Sequence, residues 1–254
     1  MADLLNSSLE RQVKCFSFMF LNSFYSTDGN SLLISGLQGS RFAKLICDDF
    51  NPIHNHDEKS FCVPGDLLFS IVLQRYGLSE HMTFRFTEML PSNLPLYLPE
   101  DTGKAFQIID SNKTCYLEVE RQGGRTVREN CIESLIRCYV RFSGHNFPHI
   151  LMPLMQENNV MINPRRPFVI YESMSLSMKN LDFNDLDVHL VDASLNTKGK
   201  RGEVLLSFQF LGDHQVSGTG TKKLIVAGLR EYEQVAVDQM IATYNSYKRS
   251  FSGC

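Results

Sequence analysis

The sequence predicts an α+β protein built from two similar units in one chain, each a curved antiparallel sheet around an apolar helix. Residues 67–76 are apolar on nearly all sides, which is typical of an enclosed helix. The later segments show the alternation of apolar and polar residues that is typical of strands. The alternation is clearest at Val204, Leu206, Phe208 and Phe210. The order of helix, apolar helix and strands occurs twice, which indicates a weak internal repeat.

Residues 1–125 are predicted to form the first unit. It opens with a short strand at residues 32–36 and a helix that Ser40 is expected to cap. This helix must end ahead of Pro52, because proline disfavours the helical state of the residue before it. The enclosed helix follows a Pro-Gly pair. Four strands are expected after it, at residues 82–90, 96–98, 106–109 and 116–120, and the flanking prolines make the second an edge strand at best.

Residues 126–254 are predicted to form the second unit. The sequence Gln-Gly-Gly-Arg at residues 122–125 is expected to break the chain between the units. A helix at residues 128–143 and a second apolar helix at residues 147–155 then repeat the plan of the first unit. Strands are expected at residues 168–178, 188–195, 203–211 and 218–226, with a terminal helix at residues 231–247 packed outside.

Composition excludes several classes of function. The chain has 254 residues, 43% of them hydrophobic, and a formal net charge of −3, which argues against a nucleic-acid surface. Its apolar runs are shorter than a membrane helix needs, and the run at residues 15–24 is interpreted as a packing segment because it lacks the features of a signal peptide. The seven cysteines form no Cys-x-x-Cys pair and no metal-ligand spacing with histidine, so we expect reduced thiols in a cytoplasmic protein without a metal.

Basic residues cluster at three places: Arg165-Arg166, residues 198–201 and Lys222-Lys223. The ordinary interpretation is that these are solvated ends of loops and strands. An alternative is that one cluster contacts the phosphates of a coenzyme.

The residues with the clearest chemical potential are Asp49, Asn51 and His54. The carboxylate and a neutral imidazole can each accept a hydrogen bond from one water, and the imidazole can take or return a proton. Asn51 can orient either group, and Pro52 stiffens the turn between them. Such a device can add water to a polarised double bond or remove it. The alternative is structural, since Asp and Asn are common at helix ends and Asn-Pro often begins a turn.

The sequence Asp-Phe-Asn-Pro-Ile-His at residues 49–54 resembles the hydratase motif of the MaoC-like, (R)-specific enoyl-CoA hydratase family, within the hotdog superfamily. Val63-Pro64-Gly65, ahead of the apolar helix, resembles the next landmark of that family. The whole chain also resembles a bacterial double-hotdog, hydratase-like family with no assigned reaction. This resemblance implies a double hotdog, in which the two units pair into one continuous sheet, and it allows a homodimer of two such chains.

The resemblance also implies roles for individual residues. Asp49 and His54 fall on the catalytic pair of the MaoC-like family, and Asn51 falls on the residue that supports this pair. Gly65 falls on the glycine whose backbone N–H binds the thioester oxygen, a role that suits a helix N-terminus. Two departures are Asp66, where the family usually has an apolar residue, and His56, where it often has Asp. The remaining candidates for substrate binding are Val63, Asp66 and Ser70.

These inferences predict a hydratase or dehydratase that acts on 2-enoyl or 3-hydroxyacyl thioesters of CoA or acyl carrier protein. The only cofactor chemistry expected is the CoA or phosphopantetheine of the substrate, and no metal, nucleic acid or membrane is expected as a partner. Two alternatives remain open. One is a thioesterase of the hotdog superfamily that uses Asp66, and the other is a non-catalytic protein that binds acyl thioesters or a protein partner.

Overall fold

A ten-stranded antiparallel sheet forms the frame of the molecule in a computed structural model that describes residues 20–100, 102–212 and 215–252. The strands, in chain order, are β1 (Ser26–Asp28), β2 (Ser31–Leu33), β3 (Leu78–Phe86), β4 (Leu96–Tyr97), β5 (Ala105–Ile109), β6 (Cys115–Thr126), β7 (Val160–Met161), β8 (Val169–Met178), β9 (Asp187–Lys198), β10 (Arg201–Gly212), β11 (Gln215–Ala227) and β12 (Arg230–Glu231). The order across the large sheet is β1-β2-β4-β5-β6-β3-β8-β11-β10-β9, and β7 pairs separately with β12.

Helices accompany this sheet, so the predicted α+β class is confirmed. They are α1 (Gly36–Leu45), α2 (Gly65–Tyr76), α3 (Glu129–Gly144), α4 (Asn146–His149), α5 (Leu151–Glu157) and α6 (Gln234–Ser252), with a 3-10 turn at Pro52–His54. Within the described ranges, no helix is both long and apolar enough to cross a membrane.

The two halves of the chain meet in the middle of the sheet. Strand β3 pairs with β8, with His81 opposite Ser177 and Arg85 opposite Ser173. Strands from the first half lie on one side of this pair, and strands from the second half lie on the other. The predicted division at residue 125 falls at the end of β6, and the separation into two units stays a prediction.

Helix α2 lies at the centre of the larger hydrophobic core. Leu67, Phe69 and Leu73 are fully buried, and most of the other residues of the helix are buried too. Because each such side chain contributes about 1.5–3 kcal/mol when it leaves water, this burial fixes α2 firmly against the sheet and α3. The prediction of an enclosed apolar helix is confirmed.

The glycines at residues 122–125 do not break the chain, so that prediction was wrong. Strand β6 continues through them to Thr126 and pairs with β3 across a bulge between Ser79 and His81. Gly123 has a φ of 81°, and a Cβ there would lie 2.2 Å from the Glu80 carboxylate. The glycines therefore allow the bulge and the close approach of Glu80.

Three smaller predictions also required correction. Helix α1 is capped by Ser35, whose hydroxyl accepts from the Gln38 N–H in a capping box, and Ser40 lies buried inside the helix. The second apolar helix is divided at Ile150 into α4 and α5, and Phe147 inside α4 adopts a non-helical backbone conformation. Strand β4 lies between β2 and β5 and is not an edge strand. The first part of the predicted packing segment, residues 15–19, lies outside the described residues.

Candidate functional site

A cavity of about 390 Å³ lies between side chains from both halves of the chain. This volume is within the range of about 300–1,000 Å³ that is usual for small-molecule sites. Much of its wall is apolar. Its charged and hydrogen-bonding side chains are Asp49, Asn51, His54, Cys62, Asp66, Thr87, Glu88, Ser143, Asn146, Tyr171 and Lys222.

The loop after α1 places Asp49 and His54 on the cavity wall. Asp48 takes a positive φ of 53°, and the Asp49 N–H donates to the carbonyl of Ala43 at 2.8 Å. The side-chain oxygen of Asn51 accepts from the Ile53 N–H at 3.2 Å and so caps the 3-10 turn. The Asn51 side chain therefore shapes the loop, and it is the Asn51 backbone N–H that donates to the Asp49 carboxylate.

The imidazole of His54 is held in one orientation. Its Nδ1 lies 2.8 Å from the carbonyl oxygen of Cys62 and must donate to it, because a carbonyl can only accept. In the neutral ring, Nε2 then carries the lone pair, 3.7 Å from Oδ2 of Asp49. The other oxygen of Asp49 accepts from the Asn51 N–H at 2.9 Å. Two acceptors thus face each other across a gap that one water can bridge by donating to both.

Burial raises the pKa of the Asp49 carboxyl, and the nearby charge of His54 opposes this rise. A carboxylate with a raised pKa is a better proton acceptor near neutral pH than an ordinary one. The pair therefore has the geometry and the basicity to activate water.

A second polar cluster, which we call the buried network, consists of Asp66, Ser143, Asn146 and Lys222. The Ser143 hydroxyl donates to Oδ2 of Asp66 at 2.5 Å, and Nζ of Lys222 donates to the Ser143 oxygen at 2.5 Å and to Oδ1 of Asn146 at 2.9 Å. All four residues are buried, and Lys222 also lies 4.2 Å from the ring centre of Tyr171. Oδ1 of Asp66 is buried without a hydrogen-bond partner among the described residues.

The charges of the buried network stabilise each other. Burial raises the pKa of Asp66, and Lys222 opposes that rise. Burial lowers the pKa of Lys222, and Asp66 opposes that fall. The ammonium donates to two oxygens and faces an aromatic ring, as expected for a charged lysine.

The start of α2 lies between these two clusters. The helix begins at Gly65 after Pro64, and no side chain in the described ranges caps it. The Leu67 N–H donates to the Pro64 carbonyl at 3.0 Å, while the N–H groups of Gly65 and Asp66 have no acceptor inside the helix and lie at the positive end of its dipole. A Cβ at Gly65 would lie 3.0 Å from Phe86 and 3.3 Å from Tyr171, so glycine allows these rings to pack closely here.

The end of α3 is seated against the loop that holds Asp49. A Cβ at Gly144 would lie 2.1 Å from the carbonyl oxygen of Cys47. The two backbones therefore touch, which brings Ser143 and Asp49 to the same cavity.

The C-terminal helix α6 holds the same loop from outside. Oδ2 of Asp48 accepts from Lys248 at 2.5 Å and from His145 at 2.7 Å, and the Tyr244 hydroxyl donates to the Asp48 carbonyl at 3.1 Å. Phe50 also packs edge-on against Tyr244. These contacts fix the segment that presents Asp49.

Of the remaining predicted residues, Val63 and Gly65 line the cavity and Ser70 does not. Val63 and Gly65 are on the cavity wall, where the Val63 N–H donates to the carbonyl of Leu90. Ser70 is not on the wall, and its hydroxyl donates to the carbonyl of Asp66 at 2.6 Å. Ser70 therefore makes a hydrogen bond within α2 and does not contribute to the cavity wall.

The sequence interpretation missed Lys222 and Ser143. Lys222 was expected at a solvated strand end, but it is 4% exposed. A signal was present, since alternation in a strand puts Lys222 on the same face as the buried Leu224 and Val226. Its neighbour Lys223 is the solvated one and pairs with Glu172 and Glu203. Ser143 gave no local signal, because its partners are distant in sequence.

No group of three or more His, Cys, Asp or Glu in the described part of the chain is arranged to hold a metal ion. The absence of a metal and of a resident cofactor stays a prediction.

Comparison with known proteins gives the family of the chain. A family model described as a protein of unknown function, DUF3581, matches residues 19–235, so the chain belongs to that family. No curated protein matches it.

Several solved structures are similar to the chain. The TesB protein of Mycobacterium avium subspecies paratuberculosis has 9% identity and a TM-score of 0.41, over 66% of this chain and 89% of that one. The acyl-CoA thioesterase II TesB2 of Mycobacterium marinum has 7% identity and a TM-score of 0.39, over 84% and 98%. An acyl-ACP thioesterase of Bacteroides thetaiotaomicron has 9% identity and a TM-score of 0.36, over 66% and 92%. Sequence identities and TM-scores this low do not identify a substrate for this chain.

These comparisons correct two predictions. The matching family is DUF3581 and not the MaoC-like hydratase family, so the predicted membership was wrong. The similar solved structures described above include acyl-CoA and acyl-ACP thioesterases and not enoyl-CoA hydratases, so hydratase was also wrong as the main function.

Proposed function

We propose that the protein hydrolyses acyl thioesters to a carboxylic acid and a thiol. The observation that carries this proposal is the convergence, on one partly apolar cavity, of an Asp49–His54 pair that can activate water and the uncapped start of α2. The apolar part of the wall suits an acyl chain. The thiol would be CoA or the phosphopantetheine of acyl carrier protein.

In this proposal the start of α2 binds the thioester carbonyl oxygen. Negative charge develops on that oxygen when a nucleophile attacks the carbonyl carbon. The free N–H groups at the start of α2 and the helix dipole stabilise such charge, and Gly65 lies on the wall of the cavity.

Asp49 and His54 supply the nucleophile. A water that donates to both Oδ2 of Asp49 and Nε2 of His54 keeps its own lone pairs directed away from them. As the water attacks, its proton passes to Nε2, while Asp49 stabilises the resulting imidazolium. The bond from carbon to sulfur breaks, and the proton on His54 is available to the leaving thiolate.

The architecture behind this function is proposed to be a double hotdog, with residues 1–125 and 126–254 as its units. Each half contributes an apolar helix, α2 in the first and α5 in the second. Helix α2 lies in the larger core, which residues of both halves form, and α5 lies in a smaller core formed by the second half. We further propose a reducing, cytoplasmic setting, because the cysteines of the described residues are free thiols, namely Cys47, Cys62, Cys115, Cys131 and Cys138. A homodimer of such chains stays a prediction.

The test is release of free thiol from a series of acyl-CoA and acyl-phosphopantetheine thioesters of increasing chain length. Free CoA is measured by chromatography, because the protein's own thiols would react with colour reagents. We expect Asp49→Asn and His54→Gln each to lower the steady-state turnover number kcat by about 10²- to 10⁴-fold, the usual contribution of general acid–base catalysis.

Matched controls lie in the same loop. His56 and Asp57 pair with each other, are exposed and do not line the cavity. His56→Gln and Asp57→Asn should therefore keep the wild-type rate. The proposal fails if the wild-type protein releases no thiol from any of these substrates, or if both cavity variants hydrolyse them as fast as the two controls.

A further inference from the structure

Ser143 lies on the cavity wall with a base and a cation both bound to its hydroxyl. Its oxygen donates to Oδ2 of Asp66 and accepts from Nζ of Lys222, each at 2.5 Å. A nucleophilic hydroxyl needs a base within hydrogen-bond reach, and the Asp66 carboxylate meets this requirement. The Lys222 ammonium lies where it can stabilise negative charge on the serine oxygen. A hydroxyl that only bridges an ion pair would not need to line a substrate-sized cavity, as Ser143 does.

A second observation also points to a ligand at this place. Oδ1 of Asp66 is buried and has no hydrogen-bond partner among the residues described, although Asp66 lines the cavity. A buried carboxylate oxygen without a partner costs about 1–3 kcal/mol or more. A substrate or water in the cavity would supply the missing donor, so the Asp66 carboxyl group is suited to act during a reaction and not only to hold the fold.

We propose that Ser143 is a nucleophile and carries the acyl group as an ester during hydrolysis. This inference rests on the proposed thioesterase function and deepens it. The water held by Asp49 and His54 then attacks an ester of Ser143 and not the thioester itself.

In the first step, Oγ of Ser143 attacks the thioester carbonyl carbon. A bond from oxygen to carbon forms while the hydroxyl proton passes to Oδ2 of Asp66. The ammonium of Lys222 stabilises the charge that develops on Oγ, and the start of α2 stabilises the charge on the carbonyl oxygen. The bond from carbon to sulfur then breaks, and the thiolate takes the proton from Asp66 and leaves as a thiol.

In the second step, the water between Asp49 and His54 attacks the ester carbon. Its proton passes to Nε2 of His54, and the bond from carbon to Oγ of Ser143 breaks. His54 returns the proton to Oγ, so the products are a carboxylic acid and the free serine. The backbone contact between Gly144 and Cys47 makes this possible, because it brings Ser143 to the same cavity as Asp49.

The experiment uses the full chain with His54→Gln, which should block the second step and leave the first. Mixed with an acyl-CoA that the wild-type protein hydrolyses, this variant should release one equivalent of CoA per protein and then stop. Its intact mass, measured after an acid quench, should rise by the mass of the acyl group. Peptide mapping should locate that group on Ser143.

Two double variants provide the comparison. His54→Gln with Ser143→Ala should show neither the burst of CoA nor the mass increase. His54→Gln with Ser134→Ala should keep both, because Ser134 is on the same helix but outside the cavity, where its hydroxyl accepts from the Leu186 N–H. Where Ser143→Ala does not fold, Ser143→Cys in the His54→Gln background replaces it and should take up the acyl group on sulfur.

The outcomes separate this inference from the proposed function. If the wild-type protein hydrolyses thioesters while the His54→Gln variant gains no acyl mass and Ser143→Ala keeps the wild-type rate, the covalent step is overturned and the thioesterase function stands. Acylation of a residue other than Ser143 also overturns the inference. If the wild-type protein hydrolyses no thioester, both proposals fail.

Discussion

At the scale of single residues, neighbours of the same residue type differ in their exposure to water. Asp49 and Asp57 belong to the same stretch of chain, yet Asp49 lines the cavity while Asp57 is exposed. Lys222 and Lys223 are adjacent in β11, yet only Lys222 is buried. The difference is one of solvation, because a buried charge interacts much more strongly with its neighbours than a hydrated one does. The candidate chemistry therefore belongs to the less solvent-exposed member of each pair, Asp49 and Lys222.

The partly buried carboxyl of Asp49 makes the stability of the protein depend on pH. Its pKa is raised in the folded state, so its charged form is disfavoured there, and its contribution to stability is lost as the pH rises through the raised pKa. An amide carries no such charge. We therefore expect the free energy of unfolding of Asp49→Asn, relative to wild type, to increase from about pH 4 to pH 7. Urea denaturation across this interval measures the effect.

The matched control for this experiment is Asp57→Asn, which removes an exposed carboxylate from the same loop region. Its difference from wild type should stay small, since exposed ion pairs contribute about 0–1 kcal/mol. A difference for Asp49→Asn that shrinks as the pH rises would contradict the assignment.

At the scale of secondary-structure elements, the site is made where helices begin and end. Helix α2 contributes its uncapped start, and α3 contributes its last turn with Ser143. Both ends are fixed by glycines that allow other groups to approach closely, Gly65 against Phe86 and Gly144 against Cys47. The geometry of the cavity therefore depends on backbone positions as much as on the ionisable side chains.

The contact at the end of α3 can be tested with Gly144→Ala. Alanine gains about 1 kcal/mol of helix propensity over glycine, so a net loss of stability would report the clash with Cys47. We expect a net loss of about 1–3 kcal/mol, the usual cost of overpacking, together with reduced thioester hydrolysis. Chemical denaturation and the thiol-release assay measure the two effects.

Gly103→Ala is the control for this variant, because a Cβ at Gly103 has no atom of the described residues within 4 Å. It should change the free energy of unfolding by no more than about 0.5 kcal/mol. If Gly144→Ala is as stable as Gly103→Ala, the backbone contact does not constrain the site.

At the scale of the whole molecule, the buried network connects the two halves of the chain. Asp66 comes from α2 in the first half, while Ser143 and Lys222 come from α3 and β11 in the second. Strands β3 and β8 join the same halves through the sheet. The cavity is therefore a property of the combined molecule, since neither half alone supplies both the base and the cation.

Removing the cation should destabilise the whole fold. Lys222→Met keeps the apolar stem but leaves Asp66 buried without its counter-charge. We expect a loss of about 3–5 kcal/mol near neutral pH, the usual cost of breaking a buried ion pair. The loss should shrink at lower pH, where the Asp66 carboxyl is protonated and needs no cation. Urea denaturation at two pH values measures both effects.

The adjacent residue supplies the control. Lys223→Met removes a surface ion pair with Glu172 and Glu203, and should cost less than about 1 kcal/mol. Equal losses for the two lysine variants would contradict a special role of the buried network.

Local sequence patterns are sufficient to predict the α+β class, the enclosed helix α2 and the residues of one half of the candidate site. These features depend on local patterns, namely apolar residues around a whole helix, alternation along strands, and Asp49, Asn51 and His54 within one turn. The resemblance to MaoC-like hydratases placed Asp49, His54 and Gly65 in one site, and all three do line one cavity. The same resemblance gave the wrong family and the wrong reaction.

The other half of the candidate site depends on long-range packing. Ser143 and Lys222 meet Asp66 across a large separation in sequence, and no local pattern specifies which distant side chains will share a cavity. The pairing of β3 with β8 and the contact of α3 with the Asp49 loop fix that meeting. Long-range packing makes such contacts, and they determine which ionisable groups lose water and so gain altered pKa values.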